Sequence, residues 1–199
     1  MRNFVVELLK ALMEVEELRE IVPDYLLSAK FKGQEQDEFE RLMIDWTDTE
    51  YLKDFFEKNS AKLFSGFFKE FKSVNQAVLF TMAEADRLSD LLLSCNEGKE
   101  LSLDENFKPY HKTSTSIVRE ESKIYGPTKW GRRNSWLRVY AIRIDSNFYA
   151  ISGGSIKLAK TTQEMDDYQE NTQKFKVLAD YIRSKGIECS DDYGYLDIE

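Results

Sequence analysis

Between Asn3 and Val22, apolar Phe4, Leu8, Ala11, Val15, Leu18 and Val22 recur at intervals of three and four, with Glu14, Glu16, Glu17 and Glu20 among them. That is the period of one helix face, so an amphipathic helix is expected, ended by Pro23. Tyr25 to Lys32 then reads as a short strand closed by Gly33. A second helical pattern follows Gln34 to Asp37, with Phe39, Leu42, Met43 and Trp46 on one face. Thr47 or Asp48 is expected to cap a further helix that turns Tyr51, Leu52, Phe55 and Phe56 inward. The longest helix is expected from about Asn75 to Ser94, with Val78, Leu79, Met82, Ala85, Leu88, Leu91 and Leu92 as its stripe and Gly98 as its stop.

From Lys99 to Arg133 the pattern weakens. Lys108-Pro109, the Ser/Thr run Thr113 to Ser116 and Gly126-Pro127 mark loop, with one strand expected at Thr115 to Arg119. Two clear strands follow, Trp136 to Ile144 and Phe148 to Leu158, joined by Asp145-Ser146-Asn147 as an antiparallel hairpin. Met165, Tyr168, Thr172, Phe175, Leu178 or Ala179, and Ile182 then form a last helix ended by Gly186. Helices segregated from a small antiparallel sheet indicate an α+β fold. The expected organisation is an N-terminal helix over 1–23, one α+β domain over 24–186 and an acidic tail over 187–199.

Strand alternation sorts the hairpin into two faces. Leu137, Val139 and Ala141 form the row that meets the helices. Trp136, Arg138, Tyr140 and Ile142 form the other, and Ser155 and Lys157 lie on the face opposite Ile156 and Leu158. Arg138, Tyr140 and Lys157 are thus expected to share an exposed face, with Arg132, Arg133 and Lys160 at its margins and a bulge at Gly153-Gly154.

Charge sharpens this picture. The chain carries a net −8, yet residues 106–160 hold 11 basic against 3 acidic side chains while both flanks are net acidic. A basic, aromatic-bearing sheet inside an acidic protein points to a polyanionic partner, with phosphates held by the cations and bases stacked on the ring.

Several chemistries are not called for. Cys95 and Cys189 stand 94 residues apart and His111 is the single histidine, so nothing has zinc-ligand spacing. Cys95, near the end of an apolar helix, is expected to be a core filler. Two cysteines exclude a disulfide framework and fit a reducing, cytoplasmic compartment. The glutamates of the first twenty residues argue against a signal peptide, and no stretch approaches about 18 consecutive apolar residues, so no membrane association is expected. No pair of carboxylates is singled out, and no cofactor or metal is implied.

The residues LRVYAIRID followed by FYAISGGSIKLAKTTQEM are similar to the core of the RelE/ParE superfamily, particularly its HigB-like branch, in which an arginine-bearing strand precedes a hydrophobic strand ending in lysines and a Thr-rich step into a helix. The resemblance covers roughly Tyr25 to Lys185, with its specific part near thirty residues. It implies a toxin of a toxin–antitoxin module that cleaves mRNA, commonly on the ribosome, without metal, and is neutralised by a cognate antitoxin. Attack of a 2′-OH on the adjacent phosphate needs proton transfer and positive charge at the phosphorane. On this resemblance Arg138 and Lys157 stabilise the phosphate, Tyr140 stacks on a base or moves a proton, and Arg132, Arg133, Arg143 and Lys160 hold RNA. The alternative is a non-catalytic interaction or accessory protein of a mobile element or phage on the same scaffold, bound to a protein through its first helix or acidic tail. Against the enzyme stand the chain's length, about twice the superfamily's norm, and its acidic net charge.

Overall fold

The structure is a computed structural model that describes residues 13–65, 71–95, 102–109, 121–125, 135–158 and 168–194. It is α+β, as the element pattern predicts. The strands are β1 (Val15–Val22), β2 (Leu26–Phe31), β3 (Lys108–Pro109), β4 (Glu121–Tyr125), β5 (Leu137–Asp145) and β6 (Phe148–Ile156). The helices are α1 (Glu38–Thr47), α2 (Thr49–Lys58), α3 (Ser60–Ser65), α4 (Val74–Leu93), α5 (Leu103–Asn106), α6 (Tyr168–Ser184) and α7 (Ser190–Gly194).

The segment Val15–Val22, expected as the second half of a helix, is instead a strand antiparallel to β2. Its burial falls on Val15, Leu18 and Val22 because register shifts between Val15 and Glu17 and between Glu20 and Val22 insert extra residues into the ladder. The first bulge puts Val15 and Leu18, three apart, on one face, and the second turns Val22 into the core on the other face, so the buried positions fall three and four apart as on a helix. Pro23 does not end a helix. It opens the turn to β2, which Asp24 completes at φ 65° with the Tyr25 N–H donating to Val22 O at 3.0 Å, the turn form in which proline precedes a left-handed residue. The expected boundary at residue 23 therefore falls inside a β-hairpin, and the N-terminal part of the expected helix lies outside the described residues.

The sheet has the order β1-β2-β6-β5-β4-β3. The β5–β6 hairpin is antiparallel as expected, but β2 joins β6 in parallel, so the sheet is mixed. The segment read as loop supplies α5, β3 and β4; the strand expected at Thr115 to Arg119 lies outside the described residues.

Helices cover both faces. On one, Leu42 and Trp46 of α1, Leu52 and Phe56 of α2, and Val78, Ala85, Leu88 and Leu92 of α4 enclose Leu137, Val139, Ala141, Tyr149, Ile151 and Ile156. On the other, Phe175, Leu178 and Ile182 of α6, with Ile187 and Tyr193, enclose Leu27, Ala29, Tyr140, Ile142, Phe148 and Ala150. The β6 positions that face the first core change from odd, Tyr149 and Ile151, to even, Ile156, because Ser152 is bulged out between Tyr140↔Gly153 and Ala141↔Ile151, close to the expected Gly-Gly break. Trp136, expected in the outward row, lies in the first core beside Phe56, Phe71 and Phe80 and donates Nε1–H to Thr81 Oγ1 at 3.0 Å.

Asp37 caps α1, accepting from the Phe39 and Glu40 N–H groups, and Asp48 caps α2 as expected. Cys95 is fully buried. Leu79, placed on the inner stripe of α4 by its spacing, is 68% exposed; Ala77 and Thr81 are buried in its stead. The beginning of the expected acidic tail is docked structure, with Tyr193 of α7 donating its hydroxyl to Leu18 O at 2.9 Å.

Candidate functional site

The face carrying Arg138 and Tyr140 was expected to be open. Helix α6 lies over it, because Phe175, Leu178 and Ile182 give that helix an apolar stripe that needs a partner. Tyr140 is 1% exposed; its hydroxyl lies 2.7 Å from Ser155 Oγ and its ring packs against Phe175 at 5.8 Å. Arg138 is 8% exposed and turns its Nη1 back onto the backbone, donating to Ser135 O and Leu137 O at 2.6 Å each. Neither residue stands on an exposed concave face. Lys157 is half-buried just beyond β6, and its backbone N–H donates to Trp136 O at 2.8 Å.

Arg143 lies on the opposite face, at the end of β5. Its Nη2 donates to Asp104 Oδ2 at 2.9 Å, and Tyr149 donates its hydroxyl to Asp104 Oδ1 at 2.8 Å. Asp104 belongs to α5, whose first turn is fastened to the hairpin by Asn147, the left-handed turn residue at φ 58° whose Oδ1 accepts from the Leu103 N–H at 2.6 Å. Burial alone would push the Asp104 carboxyl up, but these donors outweigh it and hold the group below its ordinary value. Arg143 is thus an element of a structural clamp. Arg132, Arg133 and Lys160 lie outside the described residues.

A different set of side chains converges elsewhere. The parallel pairing of β2 with β6 stops at Ser28↔Ile151, and the start of α1 occupies the parting, where the Phe39 N–H donates to Ser28 Oγ at 2.9 Å. Glu38, wholly buried there, accepts from Lys174 Nζ of α6 on Oε1 and from Arg41 Nη2 on Oε2, both at 2.7 Å. Arg41 also reaches Asp45 at 2.6 Å, and Lys174 reaches Glu170 at 2.9 Å. Glycine is required beside them. A Cβ on Gly153 would stand 2.7 Å from Asn171 Oδ1, and one on Gly154 would stand 2.6 Å from Arg138 O and 2.7 Å from Leu42 Cδ1.

Between α1, α2 and α6 this cluster opens into a cleft of about 150 Å³ whose walls include Arg41, Asp45, Tyr51, Ser155, Glu170 and Lys174. Burial opposes the charge on Arg41, yet Glu38 and Asp45 outweigh it and raise its affinity for its proton. Burial pushes the Asp45 acid up despite Arg41, whereas at Glu170 the attraction of Lys174 overcomes burial and holds the acid down. The arrangement binds charge and orients it.

No motif or spacing in the sequence marks this cluster as a whole. Lys174 left a readable signal, because it sits between Asn171 and Leu178 on the apolar stripe of α6; a cation there needs a buried anion. Glu38 left none, since a glutamate in the first turn of a helix is ordinary.

No protein-family model, curated protein or solved structure matches the chain.

Proposed function

We propose that this protein acts as a non-catalytic interaction protein rather than as a ribonuclease. The observation that carries this reading is the burial of both residues, Tyr140 against Phe175 of α6 with its hydroxyl at Ser155, and Arg138 with a nitrogen bonded to backbone carbonyls. A catalytic cation must reach a phosphate, and a stacking ring must offer its face to a base. Both requirements favour an exposed pair. The cleft beside Arg41 and Glu170, with its mixed charges and aromatic rim, supports recognition of a polar group on a partner.

The RelE/HigB-like endoribonuclease is the second reading, favoured by the partial exposure of Lys157 at the end of the basic hairpin. Tightly induced expression in a bacterial host separates the two. Normal growth, unaltered mRNA 5′ ends and a defined protein recovered with the tagged chain are expected. Growth arrest with new 5′ ends that vanish in the Arg138→Ala/Lys157→Ala double variant, matched for folded protein, would establish the ribonuclease instead.

A further inference from the structure

The cleft between α1 and α6 brings together two cations, Arg41 and Lys174, and three carboxylates, Glu38, Asp45 and Glu170. Glu38 is shared by both cations, so its charge is matched from two sides. With all five groups ionised, the cluster retains one negative charge. That surplus lies toward solvent, since the Glu38 and Lys174 side chains are 0% and 3% exposed while those of Asp45 and Glu170 are 27% and 58% exposed.

The hydrogen bonds lead the same way. Arg41 spends Nε and Nη2 on Glu38 and Nη1 on Asp45 Oδ2, and Lys174 points Nζ at Glu38 and Glu170 Oε1. Every nitrogen of the two cations already faces a carboxylate, and the surplus negative charge opposes an anion. Asp45 Oδ1 and Glu170 Oε2, by contrast, accept from no donor among the described residues. Tyr51, 42% exposed, and Phe55 line the same cleft, and an aromatic face attracts a cation that has lost part of its hydration. A space of about 150 Å³ accepts a group the size of benzene, and a planar guanidinium is smaller.

We infer that this cleft is a binding site for an organic cation, a guanidinium or a primary ammonium group, held by Asp45 and Glu170 against Tyr51. The group belongs either to a small free amine or to an arginine or lysine side chain of a partner. Only the second source rests on the interaction reading above.

The test is calorimetric titration of the full-length chain with agmatine, as the free cation, and with a blocked Gly-Arg-Gly tripeptide, as the side chain. Saturable binding of at least one is expected, weakened about tenfold or more by Asp45→Asn and by Glu170→Gln, since each removes a charge-assisted acceptor. Thermal unfolding of each variant checks that the fold persists. Ligand-induced NMR shifts confined to Tyr51, Asp45 and Glu170 of the wild-type chain give a readout that needs no variant. The stronger ligand identifies the source. Absence of saturable binding with either compound up to about 10 mM, where even millimolar affinity would register, overturns the inference; so does equal binding by wild type and both variants. A protein partner captured equally by wild type and these variants would rule out a partner side chain as the source of the cation while leaving the interaction reading in place.

Discussion

Lys174 and Glu38, 136 residues apart in sequence, meet at 2.7 Å with both side chains almost wholly buried, and so tie the helix over one face of the sheet to the helix over the other. An isolated buried charge is costly, but here each partner is also held by a second group, Glu170 for the lysine and Arg41 for the glutamate. Removing one partner strands the other. Lys174→Met or Glu38→Leu alone should lower unfolding free energy by about 3–5 kcal/mol, and the Glu38→Leu/Lys174→Met double variant should recover much of that loss. Urea unfolding of the three variants measures the difference; singles that add without recovery would show that the pair does not act as a unit.

The Tyr140 hydroxyl and Ser155 Oγ are buried together at 2.7 Å. Tyr140→Phe keeps the ring against Phe175 but strands the serine, and should cost about 1–2 kcal/mol in chemical denaturation. Partner binding should be unchanged. A large loss of a biochemical activity at unchanged stability would instead give Tyr140 a chemical role.

Gly154 lies where α1 and β5 both approach β6. Its missing Cβ would stand 2.6 Å from a backbone oxygen, which cannot swing aside as a side chain would. Gly154→Ala should destabilise by about 1–3 kcal/mol or prevent accumulation of folded protein. Wild-type-like melting of the variant would mean that the helix layer yields easily.

The Asp104 clamp sets a pH dependence. Its carboxyl is held below the ordinary value near 3.8; the unfolded chain therefore takes up a proton before the folded one does as pH falls. The stability it contributes is full above about pH 5 and declines as pH drops through the lowered folded value. Denaturation midpoints from about pH 2 to pH 6 should show a shallower acid-side loss in Asp104→Asn than in wild type. Parallel profiles would remove Asp104 as a source of acid sensitivity.

Glu84 predicts the opposite slope. It is wholly buried on α4, and burial pushes its acid up despite Arg87 Nη1 at 2.6 Å. Here the folded chain holds the proton longer, so stability falls as pH rises from the unfolded value toward the raised folded one. Glu84→Gln should gain on wild type between about pH 4 and pH 7, read from urea midpoints at both ends. A difference that does not change with pH would place the carboxyl at its ordinary value.

Sequence by itself determined the elements that run to a regular period. The β5–β6 hairpin, helices α1, α2, α4 and α6, the strand after Pro23 and the Asp48 cap follow from local spacing and capping chemistry, which act within a few residues. It also determined the α+β class and placed Cys95 in the core. Tertiary structure decided what local spacing cannot carry. The bulged ladder of β1 mimics a helix until its partner strand is known. Alternation fixes which side chains share a sheet face, but only the docking of α6 against Tyr140 decides that this part of the face is interior. The cleft depends on contacts between Glu38 of α1 and Lys174 of α6, elements far apart in the chain, and a charge on a helix reveals its partner only when the two helices are packed together.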